Sequence, residues 1–247
     1  MSQVSVRVLG CGDAFGSGGR FQTCFMVSTG GGRCLIDCGA TAMVAMRRFG
    51  VDPGSIDTVF ISHLHGDHFA GVPFLLLQQH FIDRRDRPLT IAGPPGTRLR
   101  LLAALDVMFP GSAGIEWGFA LRFTELTVGH TAQLGPFAIT PFPVVHPSGA
   151  PSFAFRLLVA GRILAYSGDT EWTDTLIDAG RDADLLISEC YAFDGVTKSH
   201  LNYKTLQTRI SNLGLKRVLL THMSEAMLAK LDEVTIDAAE DGQLLEL

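Results

Sequence analysis

The stretch His63-Leu64-His65-Gly66-Asp67-His68 places three imidazoles and one carboxylate within six residues, between an apolar run at 58–61 and a helical pattern that begins near Gly71. Such groups are costly to bury unless each is hydrogen-bonded or holds a cation, and divalent metals favour N and O donors of this kind. The spacing therefore predicts a metal-binding loop. In an extended segment His63 and His65 project to the same side, whereas Asp67 and His68 lie beyond Gly66, where the chain can turn. One loop can thus address two neighbouring ions.

Around this loop, short strand-like runs alternate with helical patterns from start to finish, and no low-complexity linker interrupts them. Strands are predicted over 4–9, 23–27, 33–37, 58–61, 89–92, 121–126, 138–145, 153–159, 163–167, 185–189 and 218–221. Helical periodicity falls over 40–49, 72–81, 97–108, 173–179 and 203–213, the last with Asn202 as its N-cap. So many strands demand a large sheet or two, and helices with one apolar face suit outer layers. The expected fold is α/β, an αββα sandwich forming one domain over residues 1–247.

The polar residues that most need an explanation stand just past strand ends. His63 follows 58–61, His146 follows 138–145, Asp169 follows 163–167 and His222 follows 218–221, so loops at one sheet edge can bring them together.

At these residues the sequence resembles the metallo-β-lactamase superfamily. Its HxHxDH motif is matched by His63, His65, Asp67 and His68; its next His by His146; its bridging Asp by Asp169 in Ser167-Gly168-Asp169-Thr170; and its final His by His222. The resemblance implies a four-layer αββα sandwich holding two divalent metal ions, zinc first, with Mn or Fe also suited to such donors. It implies that His63, His65 and His146 bind one ion, that Asp67, His68 and His222 bind the other, and that Asp169 bridges both. Two such ions about 3.5–4 Å apart can share a water and lower its pKa toward 7, which makes a bridging hydroxide the expected nucleophile. Asp67 is then placed to orient that hydroxide as well as to bind.

Ser167-Gly168-Asp169-Thr170, Ser188-Glu189-Cys190 and Leu220-Thr221-His222-Met223-Ser224 look like the ribonuclease Z and phosphodiesterase branch. In that branch a further His precedes the last strand, and His200 in Lys198-Ser199-His200-Leu201 occupies the matching place. The resemblance implies that His200 is a general acid for the leaving oxygen of a phosphodiester.

Composition narrows the substrate. A net charge of −5 offers no global attraction to a polyanion, so a long nucleic acid is not the expected partner. The tRNA-processing members carry a long arm between the positions of His146 and Asp169, where this chain allows only a tight hairpin. A small phosphodiester, such as a nucleotide derivative or cyclic nucleotide, is the expected substrate. A carboxylic ester, lactone or thioester hydrolase on the same site is the alternative, as is a ribonuclease Z-like enzyme without the arm. A non-catalytic module has little reason to keep seven donors.

The remaining features are read more plainly. Cys11, Cys24, Cys34, Cys38 and Cys190 show no repeated CxxC spacing and are expected to be buried without metal. No apolar run reaches the roughly 18 residues of a spanning helix, which suggests a cytoplasmic protein, and related enzymes often form homodimers. Arg84, Arg85 and Arg87, interrupted by Asp83 and Asp86, read as a solvated helix end. His80 and His130 match no motif. The glycine-dense loop 10–20 could turn its amides and Arg20 toward a phosphate, or simply bring the chain close to the metals.

Overall fold

The computed structural model describes residues 3–211 and 213–247. The strands of the first half are β1 (Ser5–Gly10), β2 (Cys24–Thr29), β3 (Gly32–Ile36), β4 (Thr58–Phe60), β5 (Leu89–Gly93) and β6 (Leu121–Glu125). Those that follow are β7 (Ala132–Leu134), β8 (Phe137–Val144), β9 (Ser152–Val159), β10 (Arg162–Tyr166), β11 (Leu185–Glu189), β12 (Val218–Thr221), β13 (Asp237–Ala238) and β14 (Leu244–Glu246). They form two sheets, ordered β14-β1-β2-β3-β4-β5-β6 and β13-β12-β11-β10-β9-β8-β7.

Alternation along the strands assigns the layers. Phe25, Val27, Cys34, Ile36 and Phe60 enter the space between the sheets, where they meet Phe137, Phe153, Phe155, Tyr166 and Ile187. Their neighbours Met26, Leu35, Val59 and Ile61 face the opposite way, as the two-residue period requires. There they are covered by α1 (Ala42–Arg48), α3 (Val72–Leu77) and α4 (Thr97–Met108), with α2 (Gly66–Phe69) leading into α3. On the far side, Ala154, Ala165, Leu186 and Leu220 pack beneath α5 (Thr175–Gly180), α6 (Tyr203–Ile210) and α7 (Glu225–Leu228). The result is the αββα sandwich of the metallo-β-lactamase fold. Asn202 caps α6, its side chain accepting from the Thr205 amide at 2.8 Å.

The local departures have physical causes. The helix expected over 72–81 is α-helical only to Leu77 and widens into a π-turn over Gln78–Ile82. There the buried Gln79 amide reaches the Pro53 carbonyl at 2.8 Å. Arg85 is not a solvated helix-end residue: it is buried, and its guanidinium donates to the loop carbonyls of Gly54, Arg87 and Pro88. β7, β13 and β14 went unread because two or three residues carry no period. All five thiols are free and buried.

β10, β11 and β12 run parallel, and β8 shares their direction through the antiparallel β9. Their C-terminal ends therefore open onto one rim, as in other α/β sheets that bind ligands there. Between β9 and β10 only Ala160 and Gly161 intervene, both with positive φ, a tight hairpin turn. No helix of the described residues is long and apolar enough to cross a membrane.

Candidate metal centre

The rim brings together all the donors expected from the sequence. His63, His65, Asp67 and His68 come from the segment after β4; His146 from the end of β8; Asp169 from the turn after β10; and His222 from the end of β12. One group of donor atoms, His63, His65 and His146, lies within 4.8 Å of one another, and so does a second, Asp67, His68, Asp169 and His222. Asp169 Oδ2 joins the two: it is 3.3 Å from both His68 Nε2 and His222 Nε2, 3.8 Å from His63 Nε2 and 3.9 Å from His146 Nε2. The turn that delivers it needs Gly168, which has φ 59° and packs so close that a Cβ would strike the Phe153 carbonyl.

Hydrogen bonds at the outer ring nitrogens aim the imidazoles. His68 Nδ1 lies 2.7 Å from Asp37 Oδ2, His63 Nδ1 3.0 Å from Ser62 Oγ, and His146 Nδ1 2.8 Å from the Ser199 carbonyl. With the Nδ1 protons so engaged, the Nε2 lone pairs face inward, the form in which His binds metals. His63 Nε2, His68 Nε2 and Asp169 Oδ1 are buried at the centre and lack a hydrogen-bond partner among the described residues, as does His222 Nδ1 on the outer edge of its ring. Orphaned donors and acceptors crowded in one buried place fit a divalent cation, whose coordination would satisfy them.

The electrostatics agree with that fit. Burial lowers His63, His65 and His146, with added repulsion from neighbouring imidazoles, so these rings are neutral. Burial would also lower His68 and His222, but the Asp169 and Asp67 carboxylates outweigh it and raise both. Burial opposes the charge on Asp67 and Asp169, yet the facing imidazoles hold both carboxyls below their ordinary range. The second cluster thus favours positive charge.

His200 borders the same cavity, of about 280 Å³, and its Nδ1 is 3.1 Å from Glu189 Oε2. Burial lowers His200 and raises Glu189, the latter helped by the Asp169 charge, and both directions disfavour an ion pair at this contact. Tyr191 stacks on the His200 ring, with centroids 4.8 Å apart at 25°.

Sequence reasoning overlooked Asp37, Ser62 and Tyr191 and gave Glu189 no role. Asp37 and Glu189 share one available signal: each is a carboxylate that closes a mainly apolar run, Cys34-Leu35-Ile36-Asp37 and Leu185-Leu186-Ile187-Ser188-Glu189. The phosphate-cradle reading of loop 10–20 is overturned. Arg20 turns away to the Ala239 carbonyl, and the amides of Gly12, Phe15, Gly16, Ser17 and Gly18 are already bound to Phe21, Asp13 and Glu225. The loop does reach the centre, since Ala14 and Phe15 line its cavity.

Known proteins are similar to this chain in sequence and fold. Over 233 residues the chain is 28% identical to the probable metallo-hydrolase YhfI of Bacillus subtilis, covering 89% of this chain and 87% of that protein. It is 27% identical to a ribonuclease Z of Methanosarcina acetivorans, with the same coverage. Its structure superposes on human tRNase Z, short form, with a TM-score of 0.80 at 25% identity and 98% coverage of each chain. A diphosphatase of the PhnP family shares the fold, with a TM-score of 0.76 at 19% identity. Residues 4–242 match the sequence profile of the anti-Pycsar protein Apyc1, and the chain accordingly belongs to that family, within the hydrolases of the metallo-β-lactamase fold.

Proposed function

We propose that this protein is a dinuclear metal-dependent phosphodiesterase acting on a small, nucleotide-type phosphodiester. The observation that carries the reading is the pair of donor clusters joined at Asp169, beside a buried His200–Glu189 pair in one small cavity. His63, His65 and His146 would hold one ion, Asp67, His68 and His222 the other, and Asp169 both. Bound divalent cations, zinc first, would supply Lewis acidity to the phosphoryl group and lower the pKa of the attacking water.

The chain's own residues do the rest. Asp67 Oδ2, 3.3 Å from His222 Nε2, is fixed where it can orient the attacking water. His200 would give its Nε2 proton to the leaving oxygen as Glu189 passes its own proton to Nδ1, which leaves the ring neutral and the negative charge on the Glu189 carboxylate, where the Thr170 amide and the new Nδ1–H donate to it until it is reprotonated. The two-residue turn between β9 and β10 provides no arm for a folded RNA, and a cavity of about 280 Å³ suits a mononucleotide.

A second reading, ribonuclease Z-like cleavage of tRNA, is favoured by the similarity to human tRNase Z along almost the whole chain. The readings separate when protein supplied with Zn, Mn or Fe is given bis-p-nitrophenyl phosphate, cyclic nucleoside monophosphates, precursor tRNA, p-nitrophenyl esters and a lactone, with bound metal counted by elemental analysis. Two ions per chain and turnover of the small phosphodiesters are expected. Robust carbonyl cleavage without phosphodiester cleavage overturns the proposal, as does cleavage confined to tRNA. His200→Ala is expected to keep both ions and slow turnover about 10²–10⁴-fold; loss of an ion would make His200 a ligand instead of an acid.

A further inference from the structure

The turn that follows β1 is tightly held. Asp13, only 1% exposed, accepts from the Phe15 amide at 3.2 Å, the Ser17 amide at 2.9 Å and the Ser17 hydroxyl at 2.8 Å. The Ala14 carbonyl accepts from the Gln22 side chain at 2.9 Å, and the Gly18 amide donates to Glu225 at 2.6 Å. Between these anchors Phe15 leaves 86% of its surface exposed and makes no aromatic or cation contact among the described residues. A lone exposed apolar residue is ordinary on a protein surface. This one is different in place: it lines the cavity that holds Asp67, Asp169, His200 and His222.

Besides the imidazoles of His65, His146, His200 and His222, the cavity has two aromatic rings, Phe15 and Tyr191, and one ammonium group, Lys198. The Tyr191 ring is already stacked on His200. Phe15 is the ring with open faces. A flat apolar surface on a fixed turn, beside a site read as cleaving phosphodiesters, matches a nucleobase, and such stacking tolerates several bases because each has a π-face.

We propose that Phe15 is the base-stacking platform of the site, so that the substrate's phosphate lies at the His/Asp clusters near Lys198 while its base lies on the Phe15 ring. This assignment rests on the phosphodiesterase reading above. It makes Phe15 a positioning residue that acts on substrate affinity and not on proton transfer.

The test compares Phe15→Ala, Phe15→Leu and Phe15→Trp in metal-loaded protein. The quantity measured is kcat/KM for a cyclic nucleoside monophosphate divided by that for the same cyclic sugar phosphate without a base. Phe15→Ala and Phe15→Leu are expected to reduce this ratio roughly 5- to 150-fold, mainly through KM, and Phe15→Trp to retain it. Independently of turnover, the fluorescence that Phe15→Trp adds to that of Trp117 and Trp172 is expected to be quenched by a nucleoside monophosphate and not by ribose phosphate. A ratio unchanged in Phe15→Ala, or equal quenching by both ligands, overturns the platform while leaving the phosphodiesterase reading intact. Absence of any phosphodiester turnover by the unaltered protein, with two ions bound, overturns that reading instead.

Discussion

Asp37, wholly buried, accepts four hydrogen bonds: from the Ser62 amide and hydroxyl at 2.7 Å each, from His68 Nδ1 at 2.7 Å and from the Tyr166 hydroxyl at 2.9 Å. Through Ser62 it also steadies His63, so one carboxylate orients an imidazole of each cluster. Its φ of 56° is unusual for a residue other than glycine, and Ser199 and His222, which also belong to the centre, share that conformation. Asp37→Asn puts an amide NH2 where a second acceptor stood. It is expected to weaken metal binding about 10- to 100-fold, measured by competition with a chromophoric chelator, while circular dichroism shows the fold retained. Undiminished affinity would remove Asp37 from this supporting role. That the seven residues of the two clusters would meet was legible in the sequence, because their motifs are dense and strand-terminal. Asp37 was not, because its meaning depends on partners 25, 31 and 129 residues away.

Elements that are long and alternate in character were legible too, among them β2, β3, β9 and α4. Elements set by contact with something distant were not: the π-turn exists for Gln79 and the edge strands for their neighbours. Asp184 shows how elements are joined outside the centre. It accepts from the Ile163 amide at 2.8 Å, Lys216 Nζ at 2.7 Å and Arg162 at 3.2 Å, tying the start of β10 to the segments before β11 and β12. Burial raises its carboxyl, but the hydrogen bonds from Lys216, Ile163 and Arg162 outweigh it, and the net direction is down. A lowered carboxyl contributes stability above the ordinary range near about pH 4 and loses it as pH falls through the lowered value. Asp184→Asn is therefore expected to reduce the unfolding free energy measured by urea titration at neutral pH, by under about 1 kcal/mol given its exposed partners, and less so in acid. An equal loss at both pH values would show that the charge is not responsible.

At the scale of the molecule, the donors span the joint between the sheets: His63 to His68 follow a strand of the first, and His146, Asp169 and His222 follow strands of the second. Bound cations would fasten the two halves at this rim. With free metal at about 100 times its Kd, each bound ion stabilises the folded state by about 2.7 kcal/mol, which for a chain of this length raises Tm by about 5–11 °C per ion. Calorimetry before and after chelation is expected to show a drop of that order, and an unmoved Tm would contradict fastening. The αββα layering was legible from alternation alone, whereas the closing path of the chain was not.

That path has a consequence for synthesis. β13 adds to the second sheet, then β14 crosses to pair with β1, and the His222 amide donates to the Cys11 carbonyl at 3.0 Å. A ribosome delivers Ser5–Gly10 before, and Leu244–Glu246 after, every other strand of both sheets. Until β14 leaves the exit tunnel, the outer edge of β1 therefore waits without its mate, open to a stray strand from another nascent chain.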